Sequence, residues 1–113
     1  MSNSLIDKQV FELLLFQVQC FPLYSVLVAL GNPKIDYFSL DIEGAELVVL
    51  QTVPWNKVNM TLIEVEVNHA GSIFPGTRDE IHQFLAQHDF DYIESVAIDD
   101  FFYNKRNNKF KHE

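Results

Sequence analysis

Two strand-like runs, residues 35–42 (IDYFSLDI) and 60–67 (MTLIEVEV), stand a helix-length apart in the chain. That spacing constrains the fold most. Two strands lying parallel need a crossover of a dozen or more residues, usually helical. Between the runs, residues 45–52 (AELVVLQT) predict a short helix stopped by Pro54, because residues ahead of a proline leave the helical region. Tyr37, Phe38 and Leu40 suit a sheet buried on both faces, and Leu62, Ile63, Val65 and Val67 are apolar in the second run.

The flanks extend the pattern. Pro22 sits where a first helical turn tolerates it, residues 23–30 are strongly apolar, and Gly31 supplies a stop, which predicts a buried helix. Thr77-Arg-Asp-Glu80 is a capping box, with Ile81, Phe84 and Leu85 following at helical spacing. Residues 90–98 and 101–105 read as strands joined at Asp99-Asp100, and so short a join demands an antiparallel hairpin. Residues 1–15 fit a short helix or an irregular segment, and residues 16–20 (FQVQC) alternate like a strand. The expected organisation is a loosely assigned segment over 1–15, one α/β unit over 16–105 and a polar basic tail over 106–113. Helix, strand, helix, strand, helix and hairpin together describe half of a doubly wound sheet, in which ligands lie beyond the carboxyl ends of the strands. Those ends are Asp41-Ile42-Glu43-Gly44 and Glu66-Val67-Asn68-His69.

Composition narrows the partners. Among 113 residues, 48% are hydrophobic, enough for one core, and Gly and Pro number only four each, which excludes low-complexity disorder. A net charge of −8 argues against a nucleic-acid backbone or an anionic membrane surface as the main partner. Lys105, Arg106, Lys109 and Lys111 form the one basic cluster, read as a solvated tail. The longest uncharged apolar runs, 13–16 and 26–30, are far shorter than a membrane span of about 20 residues. Asp7 and Glu12 interrupt the start, unlike a secretory signal. The chain is expected to be soluble, with a cytoplasmic setting favoured. A lone cysteine, Cys20, excludes an internal disulfide framework and reads as a buried small hydrophobe.

The segment 34–50 (KIDYFSLDIEGAELVVL) resembles the FkbM family of S-adenosylmethionine-dependent methyltransferases: a strand ending in Asp-x-Glu-Gly-Ala-Glu, then an apolar helix. The resemblance continues through TLIEVEVNH, the helix after FPGTRDEI and the closing hairpin, covering roughly residues 16–105. CFPLYSVLVALG followed by DYFSLDIEGAE is similar to the Star-like branch of that family. The resemblance implies the C-terminal half of a Rossmann-like methyltransferase sheet, with the last strand inserted antiparallel beside the second. It implies methyl transfer from S-adenosylmethionine to an oxygen or nitrogen nucleophile on a small-molecule or glycan-like acceptor. Its Star-like branch implies the alternative of a non-enzymatic, endomembrane-associated module that helps growth-factor precursors leave the endoplasmic reticulum. Dinucleotide-type folds bring the backbone close to the cofactor at a glycine-rich turn. The four glycines here, Gly31, Gly44, Gly71 and Gly76, form no Gly-x-Gly turn. The chain alone is therefore expected to bind the cofactor weakly or not at all, and its open sheet edge is a place for self-association or a protein partner.

Asp41, Glu43, Glu66 and His69 are the candidate catalytic residues. Asp41 and Glu43 would position the acceptor or the cofactor, while Glu66 and His69 would act as general base and orienter. Asp41 and Gly44 are the candidate cofactor contacts, Gly44 chiefly through the tight turn it permits. Glu46 reads as a helix cap or an exposed side chain. Asp41, Glu43, Glu66 and His69 have the ligand types of a divalent-ion site, but no spacing forces one, and no metal is assigned. His82 and His88 read as surface-helix residues, His112 as tail, Trp55 as a cap on the core, and Ser25 as a partnerless serine in a buried helix. Asn59-Met60-Thr61 is a formal glycosylation sequon at the start of a central strand, where a glycan would disrupt packing.

Overall fold

The computed structural model describes residues 17–107. Helix α1 (Leu23–Ala29) leads into strand β1 (Ile35–Leu40), helix α2 (Glu46–Thr52) and strand β2 (Met60–Glu66). Helix α3 (Arg78–Gln87), strands β3 (Phe90–Val96) and β4 (Asp99–Asn104) and a 3-10 turn (Lys105–Asn107) complete the order. The expected segment 1–15 and the tail residues Lys109, Lys111 and His112 lie outside the described residues. Among the described residues no helix is long and apolar enough to cross a membrane.

The four strands form one mixed sheet in the order β1-β2-β4-β3. β1 and β2 are parallel, with Tyr37 opposite Leu62 and Leu40 opposite Val65. β4 runs antiparallel to β2, with Glu66 opposite Asp99, and closes on β3 across the hairpin. The last strand thus inserts beside the second, as expected, and the mixed α/β sheet is consistent with part of a methyltransferase fold.

Alternation along the strands sorts the two faces. Leu40, Ile63, Val65 and Phe102 are buried in one core with Leu47 and Leu50 of α2 and Ile81 and Leu85 of α3. Trp55 closes that core from below: it is buried, its Nε1 donates to Leu50 O at 2.9 Å, and its ring meets Phe90 edge-on. The capping box forms as the sequence predicts. Thr77 accepts from Glu80 N, and Glu80 accepts in turn from Thr77 N at 3.0 Å. Gly76, buried at φ +121°, lets that loop run against Leu47, since a Cβ there would meet Leu47 Cβ at 2.5 Å.

Several expectations are corrected. The second face of the sheet is not buried: Tyr37 is 53% exposed, and Leu62, Phe101 and Tyr103 are only half-buried. Helix α1 is not buried either. It buries only Leu27 fully, with Leu23 and Tyr24 packed half-buried against the core, while Val26 and Val28 remain exposed beside Leu30 and an exposed Ser25. Residues 17–20 form no strand, and Cys20 is exposed, because nothing described packs over that stretch. The hairpin turns at Ala97-Ile98, two residues earlier than Asp99-Asp100, because Asp100 is held in the sheet by the half-exposed Arg78 and the partly buried His82. Arg106 is not simply solvated: it pairs with Asp89 at 3.5 Å and reaches Trp55 O.

Candidate functional site

The carboxyl ends of β1 and β2 lie side by side, and the chain leaves each through a tight loop. After β1, Glu43 (φ 58°) and Gly44 (φ +107°) both take left-handed backbone, which turns the chain sharply into α2. An added Cβ at Gly44 would sit 2.9 Å from His69 O, so the two loops touch through the missing side chain. That is the backbone role expected of Gly44. His69 O is held in turn by Ser72, whose hydroxyl donates to it at 2.7 Å.

Glu46 is neither exposed nor an ordinary helix cap. It is fully buried and folds back to accept from Ile42 N at 2.8 Å and from Gly44 N at 3.1 Å, which fixes the loop ahead of its own helix. Glu66, at the end of β2, is 2% exposed. Its Oε1 accepts from Asn68 N at 2.6 Å, and its Oε2 has no hydrogen-bond partner among the described residues. Asp41 is exposed at the mouth, and one oxygen from each of Asp41, Glu46 and Glu66 lies within 4.8 Å of the others. Glu43 points away from that trio toward the adjacent loop, with Oε2 3.1 Å from His69 Nε2 and both side chains well exposed.

A second pair of acids borders the site. Asp99 opens β4 opposite Glu66. It shares a hydrogen bond with Glu64, and that bond, with burial and the charges of Glu64, Asp41 and Glu66, pushes its carboxyl up to about 6. Glu64 moves the other way, held down by Asp99 and by the Tyr37 hydroxyl that donates to it. The strand ends thus present a strongly negative surface, suited to cations, hydroxyls and amines rather than to phosphates.

The structure therefore brings Asp41, Glu43, Gly44, Glu66 and His69 to one end of the sheet, but in two groups: a buried-to-rim carboxylate trio that includes Glu46, and the exposed Glu43–His69 pair. Sequence reasoning underrated Glu46, although its place in Asp-x-Glu-Gly-Ala-Glu was the available signal. It also took His82 for a plain surface residue. His82 Nε2 lies 2.6 Å from Asp100 Oδ2, its ring packs on Phe102, and Arg78 Nε and Ser95 Oγ donate to the same carboxylate. Burial favours the neutral form of Asp100, but the hydrogen bonds from Ser95, His82 and Arg78 outweigh it and hold the carboxyl below its ordinary value. With every oxygen satisfied, this network locks α3 to the hairpin. His88 stacks on Phe84 and Trp55, in keeping with a packing role.

A parallel strand pair with polar loops at its carboxyl ends, closed by an antiparallel hairpin, has the arrangement of an open α/β sheet, a class whose ligands lie beyond the carboxyl ends of the strands. The chain belongs to the FkbM methyltransferase family: the methyltransferase FkbM domain matches residues 12–92, more than half its length. No curated protein and no solved structure matches it.

The family suggests S-adenosylmethionine as cofactor. The described residues fit only part of such a molecule. Asp41 offers a carboxylate to hydroxyl or ammonium groups, but the Ile42 and Gly44 N–H groups are taken by Glu46, and no Gly-x-Gly turn follows a described strand. The negative surface also disfavours the carboxylate of an amino-acid moiety.

Proposed function

We propose that this chain supplies the acceptor side of an FkbM-type methyltransferase domain, acting on an oxygen or nitrogen nucleophile of a small-molecule or glycan-like acceptor. The observation that carries the reading is the family's acidic turn standing at the carboxyl ends of two parallel strands, where open sheets bind ligands. In this reading Asp41 orients the acceptor, Glu43 holds the His69 ring by accepting from Nε2, and His69 takes the proton of the attacking hydroxyl or amine at Nδ1. Glu66 lies too deep to be that base, and its role is to fix the charge of the site floor. Gly44 lets the turn after β1 pack against the His69 loop, which sets the position of the Glu43–His69 pair. The chain by itself binds S-adenosylmethionine weakly or not at all, since the glycine turn that would cradle it is lacking.

Titration calorimetry with S-adenosylhomocysteine tests the last statement, and micromolar binding by the 113-residue chain overturns it. Methyl transfer is tested in a chain extended to full domain length, with Asp41→Asn and His69→Gln compared with the parent. Loss of about 100-fold in each supports the roles given. Transfer unaffected by either removes them.

A further inference from the structure

We propose that Asp41, Glu46 and Glu66 form a binding site for one hard divalent cation at the junction of β1 and β2. Three carboxylates converge there from the end of β1, the start of α2 and the end of β2, with one oxygen of each within 4.8 Å of the others. That is the spread a single ion would span, since oxygen ligands at about 2.3–2.6 Å place opposite donors about 5 Å apart. All three donors are carboxylate oxygens, which select hard ions of the calcium, magnesium and manganese class over zinc or copper.

The burial of these groups gives the argument its force. Glu46 is fully buried and Glu66 is 2% exposed, yet none of the described ion pairs brings a Lys, Arg or His to any member of the trio. Burying carboxylates without a cation is costly, and removing the solvent from one oxygen without a partner adds to that cost. Glu66 Oε2 is such an atom. The remaining contacts suit a ligand shell. Ile42 N and Gly44 N hold the Glu46 carboxylate in place, and Asn68 N holds Glu66 by Oε1, leaving Oε2 for the ion. Asp41, exposed at the rim, supplies the third ligand and the path of entry. Water would complete the coordination. The site uses Glu46 and Glu66 where the Glu43–His69 pair takes no part, and it stands whether or not the domain transfers methyl groups.

The test is titration of the whole chain with Mn²⁺ followed by electron paramagnetic resonance, repeated calorimetrically with Ca²⁺. Saturable binding of one ion per chain is expected, with a rise in Tm that sets in near the same concentration and grows with the logarithm of ion concentration above it. Asp41→Asn and Glu66→Gln should each weaken binding at least ten-fold, and Asp91→Asn, an exposed acid on β3, should leave it unchanged. If Glu66→Gln does not fold, Asp41→Asn on the rim decides alone. Absence of saturable binding by either ion at millimolar concentration overturns the proposal. So does binding that Asp41→Asn leaves unaltered.

Discussion

Gly76 and Gly31 both lie in the left-handed region, but only one is crowded. At Gly76 an added Cβ meets Leu47 at 2.5 Å, whereas at Gly31 nothing lies within 4 Å. Gly31→Ala should therefore cost about 1–2 kcal/mol from backbone strain alone. Gly76→Ala should cost about 3 kcal/mol or more, since overpacking adds to that strain. Urea unfolding of the two variants measures the gap, and equal costs would refute the packing argument. Asp100 allows a prediction in pH. Its carboxyl is held below the ordinary value in the fold, so its stabilisation is complete above pH about 4, the unfolded value, and is lost as pH falls through the depressed one. Asp100→Asn should cost roughly 2 kcal/mol at pH 7, and the deficit should shrink by pH 3. A deficit that persists in acid would show that shape, not charge, holds the network. None of this was legible locally. Asp100 follows another aspartate and reads as a turn residue, while its partners come from positions 78, 82 and 95.

At the scale of elements, β1, β2, α2 and α3 were legible because apolar period, Pro54 and the capping box all pointed the same way. Thr77→Ala should accordingly cost about 1 kcal/mol, measured by thermal or urea unfolding. The hairpin was legible as an element but not in its turn. Ala97 and Ile98 carry no turn signal, and Ala97 nonetheless sits at φ 55°. A non-glycine residue there is strained, so Ala97→Gly should stabilise the chain by about 0.5–1 kcal/mol despite the added freedom of the unfolded state. A destabilised variant would mean that the Ala97 methyl group packs. In the candidate site, Asp41, Glu43, Glu66 and His69 were legible from strand polarity together with the motif. Which of them pair was not. The Glu46 fold-back depends on two successive left-handed residues that no spacing rule foresees.

Across the whole molecule the described surface is unevenly finished. A hollow of about 220 Å³ lined by Leu62, Ile93, Glu94, Val96 and Phe101 opens on the sheet face left uncovered among the described residues, and a larger one of about 380 Å³ runs along α1 beside Phe21 and Leu30. Both are mainly apolar, and neither is at the strand ends. The native chain should therefore bind an apolar fluorescent dye. Ile93→Lys and Val96→Lys should lower that binding while changing stability by only about 0.5 kcal/mol. Unchanged dye fluorescence would place the exposed apolar surface elsewhere. Sequence could not foresee this face, because a strand's apolar pattern is the same whether or not a second layer covers it. The strand order carries a consequence of another kind. β4, last of the four to leave the ribosome, occupies an interior position between β2 and β3. A nascent chain that has emerged only as far as Val96 holds a two-stranded ribbon and an orphan strand with no ladder between them. Assembly of the sheet must therefore wait for residues 99–104, and losing them would dismantle its middle rather than trim its edge.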